Sequence, residues 1–406
     1  MRTVMQAPER FSNLPEYAFP RLRALLEPIA PGPAGENREP VAMSLGEPRH
    51  PLPPFLDEAL AKHSHLYAKY PPNEGHQDLR DAIAAWTNRR YGLGARVDPD
   101  HHVFPLNGTR EGLFAACVAL SPETKNGEKP VVLLPNPFYQ CYAVAALTAG
   151  AEPIYVNATA ETGHLPDFAS LDRKLLARAT VAYICSPANP QGAVASRAYW
   201  RDLVALAEAH DFRIFADECY AEIYRDAPPP GVLEVADAAD PERVLAFHSL
   251  SKRSNLPGLR SGFCVGGPET IRAMRQLRSY AGAPMPLPAQ LAAAEVWREE
   301  EHVVANRALY AAKYAMADEI LGGAPGYTSP EAGFFLWLEV ENGETSCVRL
   351  WREAGVKVLP GAYLSRPASP GAGDGDPGAR YIRAALVDEI ENVRRGLTAI
   401  RDVLGD

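Results

Sequence analysis

Short apolar runs and longer stretches of helical period alternate along this chain. Val131-Val132-Leu133-Leu134, Pro153-Ile154-Tyr155-Val156, Val181 to Cys185, Arg213 to Ala216 and Val244 to Phe247 read as buried strands. Between them, Ala198 to His210 sets Trp200, Leu203, Val204, Leu206 and Ala207 on one helical face. Such alternation over ~150 residues predicts a largely parallel sheet with helices on both faces. Ligands of such sheets sit at the carboxyl ends of the strands. Residues 15–30 predict a first helix (Tyr17, Phe19, Leu22, Leu25, Leu26, Ile29), stopped by Pro28 and Pro31-Gly32-Pro33. A long helical stretch, Pro288 to Met316, leads to a second region, where 333–340 and 381–387 read as strands of a smaller α+β domain. The Gly-, Pro- and Asp-rich residues 367–379 read as a solvated loop or a disordered insert. This divides the chain into an N-terminal arm and helix packing with the small domain (1–45), a large domain (46–285) and a small domain (286–406).

Composition narrows the classes. At 406 residues two domains are expected, and 47% hydrophobic with 22% charged residues is ordinary for a globular protein. A net charge of −9 argues against nucleic acid as a partner, although a local arginine cluster can still take an anionic substrate. The six cysteines never form C-x-x-C and read as plain buried thiols, and no metal site is expected. Met1 to Pro20 carries Glu9, Arg10 and Glu16 with no apolar core, so no signal peptide is expected. No run of ~18 apolar residues suggests a membrane span, and a cytoplasmic location is expected.

The chemistry concentrates at strand ends. In His248-Ser249-Leu250-Ser251-Lys252 and the following turn to Arg260, two hydroxyls precede a lysine and an arginine follows eight residues later. This is the setting of a lysine that forms a Schiff base with pyridoxal phosphate: the amine is the nucleophile, and Ser249, Ser251 and Arg260 grip the phosphate. Asp217 follows the strand Arg213 to Ala216, where its carboxylate can pair with a protonated pyridine nitrogen; alone it would read as a helix cap. Tyr220 and Asn189 (in Asn189-Pro190-Gln191-Gly192) are candidates to hold the ring's phenolic oxygen. Gly108-Thr109-Arg110 opens a helix whose free amides suit the phosphate, with Thr109 adding a hydroxyl. Tyr139 is the candidate for stacking on the ring, with Phe138 and Tyr142 as alternatives. Arg383 sits in an apolar strand, where a charge is costly unless paired, and an incoming α-carboxylate would pair it; Arg380 is the alternative.

Together these motifs resemble the fold-type I pyridoxal-phosphate-dependent aminotransferases of class I/II, the aspartate aminotransferase superfamily, from the Leu45-Gly46-Glu47-Pro48 turn to Arg383. The resemblance implies Lys252 as Schiff-base lysine and proton shuttle, with Asp217, Asn189 and Tyr220 on the ring. It places Gly108, Thr109, Arg110, Ser249, Ser251 and Arg260 around the phosphate, Tyr139 stacked, and Arg383 on the substrate carboxylate with Gly46 nearby. It also implies a homodimer in which Tyr70 reaches the partner's phosphate. Tyr17 to Arg23, Gly46 to Pro51, Lys252 to Phe263 and Pro284 to Pro288 look closer to the N-succinyldiaminopimelate aminotransferase branch, although Ala18 and Arg49 stand where proline and lysine are usual.

The expected reaction is ping-pong transamination of N-succinyl-LL-2,6-diaminopimelate with 2-oxoglutarate, with Arg49 and Arg253 as candidate anchors for a distal carboxylate. Alternatives are an aminotransferase for aspartate, alanine or aromatic donors, and a carbon–sulfur lyase. A cofactor-sensing regulator module is disfavoured, since only about 40 residues precede Gly46, too few for a helix-turn-helix and linker.

Overall fold

The computed structural model describes residues 8–12, 14–32, 39–236 and 241–405; the leader reading over Met1 to Ala7 and the helix stop at Pro33 fall outside these. Twelve strands are named in chain order: β1 (Val41–Ala42), β2 (Val103–Leu106), β3 (Val131–Asn136), β4 (Glu152–Asn157), β5 (Ala179–Cys185), β6 (Arg213–Asp217), β7 (Val244–Ser249), β8 (Gly262–Gly266), β9 (Phe335–Glu339), β10 (Val356–Lys357), β11 (Leu359–Pro360) and β12 (Tyr381–Ala385).

A seven-stranded sheet in the order β2-β8-β7-β6-β5-β3-β4 forms the centre of the fold. Its strands are parallel except β8, which runs antiparallel to both neighbours. The parallel strands are buried along nearly their whole length, as expected when helices cover both faces. Apolar residues packed on the two faces form separate cores, one around Trp200 and Phe212, the other around Phe104, Tyr142 and Phe215.

Two strands of this sheet escaped the apolar-run reading. β2 carries Pro105, which is tolerated because β2 lies at the sheet edge. β8 is a short Gly-Phe-Cys-Val-Gly run.

The first helix is shorter than predicted, Ala18–Leu26: Tyr17 is extended before it and Pro28 follows its end. The predicted helix over 288–316 is two helices, Leu287–Arg298 and Glu301–Leu321. Glu299 is extended between them, and its carboxylate accepts from the amides of Glu301 and His302. Arg253 donates to the carbonyls of Val296 and Glu299, closing the end of the preceding helix. Each helix terminus thus finds its partners in side chains, and continuity brings no gain. Leu287–Arg298 packs with Trp86 and Phe263 of the large-sheet side.

A three-stranded antiparallel sheet, β11-β12-β9, builds the second region, and β1 pairs with β10. Ala18, Leu22 and Leu26 of the first helix share the core of this region with Leu350, Val356 and Leu397.

The glycine-rich insert is an ordered loop with much of its surface in solvent, which fits the solvated-loop reading and not the disordered one. The Ser369 and Asn157 amides donate to the carbonyls of Tyr155 and Ala372, and the Tyr155 amide donates to the Ser369 hydroxyl, so the insert docks on the outer edge of β4. Ala372 is buried, and Asp376 accepts from the Gly378 amide at 2.9 Å. An unpaired strand edge offers donors and acceptors, and this segment uses them without forming a strand.

Candidate active site

Five strands of the large sheet end in the same cleft, of about 300 Å³. Ser249 ends β7 and Asp217 ends β6; Asn189 lies four residues beyond β5, Tyr139 three beyond β3, and Gly108 two beyond β2. Because β8 is antiparallel, its start delivers Arg260 to the same edge. The cleft is also lined by Gly46, Thr109, Arg110, Ser251, Lys252, Tyr220 and Arg383. Tyr70 is fully exposed and does not line this cleft of its own chain.

One end is built of backbone and small hydroxyls. Gly108 has φ +78° at the start of helix Thr109–Leu120, and a Cβ there would lie 2.2 Å from the Arg260 guanidinium. Arg260, itself left-handed at φ +57°, donates to the carbonyls of Asn107 (3.0 Å) and Pro257 (2.8 Å). Ser249 Oγ caps the short helix Leu250–Arg253, accepting from the Ser251 amide at 3.1 Å. Ser249 Oγ and Ser251 Oγ are 2.9 Å apart, and Thr109 Oγ1 lies 3.0 Å from Cys219 Sγ. Hydroxyls, a guanidinium and the first-turn amides of a helix thus converge.

Asp217 is buried, and burial raises its pKa against the opposing effect of its hydrogen bonds. The Tyr142 hydroxyl donates to its Oδ2 at 2.7 Å and the Cys219 amide approaches Oδ1 at 3.4 Å. Tyr142 in turn stacks on Tyr183 at 4.4 Å between centroids. Of the three aromatic candidates, Tyr142 is therefore a support for Asp217, Phe138 is packed against Tyr155, and Tyr139 is the half-buried one, taking a hydrogen bond from Arg110 Nε.

Lys252 and Arg383 face one another across the chain segment that follows β1. Lys252 Nζ donates to the Gly46 carbonyl at 2.5 Å, and Arg383 donates to the Ser44 carbonyl at 2.8 Å and to Asn189 Oδ1 at 3.1 Å. Burial, helped by the nearby Arg383 charge, lowers the Lys252 ammonium to about 8. Burial likewise lowers Arg383, to about 10; its guanidinium lies 4.1 Å over the Phe335 ring and its Nε has no partner among the described residues. A buried cation without an anion costs several kcal/mol, which an incoming carboxylate would relieve. Arg380, by contrast, is exposed and pairs with Glu339.

Two arginines read from the sequence as distal anchors are elsewhere. Arg253 is buried between Trp86 and Trp297 as a helix closer, and Arg49 pairs with Asp388 at 2.7 Å; neither lines the cleft. Sequence reasoning passed over the Tyr142 hydroxyl and the Ser44 carbonyl. Tyr142 lies three residues after Tyr139, a helical spacing that hinted at a shared face; nothing marked Ser44.

A lysine of depressed pKa, a buried carboxylate and an anion cradle at the ends of parallel strands define an enzyme site for an aldehyde cofactor bearing a phosphate. Residues 38–373 match the family described as aminotransferase class I and II, and the chain belongs to that family. It is a pyridoxal-phosphate-dependent aminotransferase of fold type I. It is 32% identical over 405 residues to an LL-diaminopimelate aminotransferase of Dehalococcoides mccartyi, covering 98% of each chain. It is 33% identical to a 4-dedimethylamino-4-oxo-anhydrotetracycline transaminase of Streptomyces rimosus, covering 94% of this chain and 97% of that one. A crystal structure of an aminotransferase from Neisseria meningitidis superposes with a TM-score of 0.91 at 36% identity, covering 98% of this chain and 99% of that one.

The residues present fit the cofactor on grounds internal to the structure. The cradle at Gly108 has no room for a side chain. Among the described residues, Asp217 is buried in the cleft without an ion pair, and Arg383 Nε has no hydrogen-bond partner. Each suits one charged part of the cofactor or substrate.

Proposed function

We propose that the protein transfers the amino group of N-succinyl-LL-2,6-diaminopimelate to 2-oxoglutarate. Its support is a 32% identical relative named for diaminopimelate, together with the local strings of the succinylated branch. A second reading, free LL-diaminopimelate as donor, is favoured by the printed name of that relative. We propose further that the chain works as a homodimer in which exposed Tyr70 completes the partner's phosphate site.

Pyridoxal phosphate, when bound, supplies the aldehyde that takes the amino group and a ring that accepts electron density from Cα. In this reading Ser249, Ser251, Thr109, Arg260 and the amides after Gly108 hold its phosphate. Asp217, fixed by Tyr142, keeps a proton on the pyridine nitrogen. Asn189 and Tyr220 orient the phenolic oxygen, and Tyr139 covers the ring. Arg383 clamps the α-carboxylate and so presents Cα to Lys252, whose amine, poised near neutrality, carries the proton between Cα and the cofactor's C4′.

The experiment is a half-reaction spectrum of the holoenzyme. The visible absorption of the lysine-bound cofactor should be lost on adding glutamate, and equally on adding N-succinyldiaminopimelate, with aspartate and alanine inert. Loss with free diaminopimelate and not its succinyl form selects the second reading. Loss only with glutamate and unrelated donors removes both.

A further inference from the structure

Residues 44–52 belong to no helix or strand, and none of them makes a backbone–backbone hydrogen bond among the described residues. Yet this irregular segment meets two charged groups of the cleft through its carbonyls. Ser44 accepts from Arg383 at 2.8 Å, and Gly46 accepts from Lys252 at 2.5 Å. A segment without a ladder is placed by what pins its ends and side chains. At its start, the Met43 amide donates to the Lys357 carbonyl of β10, and the Met43 carbonyl accepts from Ala385 of β12. Its far end is pinned by a buried polar node at His50.

His50 is gripped at both ring nitrogens. The Lys313 ammonium, which can only donate, lies 2.6 Å from Nε2, and this leaves the ring proton on Nδ1, 2.7 Å from Asn306 Oδ1. Lys313 also donates to the Asp388 carbonyl at 2.6 Å, and Asp388 Oδ2 accepts from Arg49 at 2.7 Å. Asn255 Nδ2 donates to the Pro51 carbonyl and to Asn306 Oδ1, each at 3.2 Å. Asn255 follows Lys252 by three residues, and Asp388 follows the end of β12, the strand of Arg383, by three. The node therefore ties the carbonyl segment to the local chain of both groups it serves. Lys313 is 2% exposed, and its partners are an imidazole nitrogen and a carbonyl, not a carboxylate. A buried ammonium so paired is costly as a mere pin, and a role in fixing register accounts for it.

We propose that His50 is a positioning residue of the transamination: held by Lys313 and Asn306, it fixes the Ser44 carbonyl against Arg383 and so sets how the guanidinium meets a substrate α-carboxylate. This rests on the reading above in which Arg383 is the carboxylate clamp. When Lys252 is engaged with the cofactor its bond to Gly46 is given up, and the placement of the segment then depends all the more on the node. A guanidinium fork must be held in orientation to take a carboxylate bidentately, and a displacement of ~1 Å is enough to weaken it. The loss falls on every amino donor alike, since each carries an α-carboxylate.

The test is steady-state transamination of glutamate and diaminopimelate, with thermal melting, by the holoenzyme and its His50→Phe, His50→Gln, Lys313→Met and Arg383→Leu variants and the double variant His50→Phe/Arg383→Leu. His50→Phe keeps a ring against Tyr310, now 4.4 Å away between centroids, but drops both hydrogen bonds. It should raise KM for both donors ~5- to 20-fold, within the range of couplings inside one polar network, with kcat held within ~2-fold. Lys313→Met should do the same from the other side. His50→Gln, which can accept from Lys313 and donate to Asn306, should recover most of the loss. In the Arg383→Leu background His50→Phe should add nothing, because it acts through that guanidinium. A lower melting temperature with KM unchanged would make the node structural only and overturn the assignment. An effect on kcat alone, or an equal rise in KM on top of Arg383→Leu, would overturn it as well. If Arg383→Leu itself leaves KM unchanged, the clamp reading falls and the assignment with it, a result distinct from a working clamp that His50 does not influence. Should His50→Phe fail to fold, Lys313→Met alone and combined with Arg383→Leu decides the same question.

Discussion

The two ends of the cleft are built on opposite terms. At the end proposed to hold the phosphate, Arg260, Ser249 and Ser251 bond the chain's own carbonyls, amides and hydroxyls, so the cradle is shaped before anything enters. At the other end, around Arg383, the guanidinium is buried with no carboxylate beside it among the described residues and keeps a nitrogen without a hydrogen bond. A cofactor that stays needs a rigid seat, whereas a substrate that must bind and leave is better met by groups whose needs it fulfils. Lys252 stands between the two, bonded to a carbonyl of the segment that also holds Arg383.

The comparison breaks most visibly at that lysine. Lys252→Ala should remove the visible absorption and lower transamination by ~10⁴-fold or more, since nucleophile and proton carrier are lost together. A soluble amine such as methylamine should restore part of the rate; retention of rate in the variant without amine would place the proton transfer elsewhere.

Arg383→Leu is the next largest. Removing the cation from a buried carboxylate clamp should cost ~10²-fold in kcat/KM for every amino acid tested, long or short. Because Leu also relieves an uncompensated buried charge, the thermal midpoint should hold or rise. A fall in activity confined to long donors would move the carboxylate clamp away from Arg383.

The pH dependence sharpens the same contrast. The neutral amine of Lys252 is the form that captures the cofactor, and burial puts its midpoint at about 8. Capture by the cofactor-free enzyme should therefore fall about tenfold per pH unit below that value and level off above it. A stopped-flow profile still rising steeply past pH 10 would show an ordinary, solvated lysine.

The smallest effect is expected at the strap on β4. Gly373 has φ +127°, and a Cβ there would meet Asn157 at under 3 Å, so Gly373→Val should loosen the insert. A loss of ~1 kcal/mol, or a fall of ~2–4 °C in Tm, is expected, with cofactor capture unchanged. Impaired capture would mean that the strap shapes the phosphate end as well.

Much of this was legible in one dimension. The strands at 131–136, 181–185, 213–217 and 244–249 are continuous apolar runs because the sheet is covered on both faces. The candidate-site motif is short and contiguous, so Ser249, Ser251 and Lys252 were singled out together, and all three line the cleft. Other features were hidden for definite reasons. β2 contains a proline that only its edge position excuses. The break at Glu299 depends on Arg253 arriving from another part of the chain. The insert looked disordered because composition does not report that an unpaired strand edge lies within reach.

From the sequence alone came the class of enzyme, the cofactor and a candidate lysine, because catalytic chemistry demands particular side chains at particular strand ends. The tertiary structure decided which arginine faces the cleft and which closes a helix, and that Tyr142 supports Asp217. Those outcomes turn on burial and on partners supplied by distant segments, and a side chain's local sequence carries no record of who its neighbours in space will be.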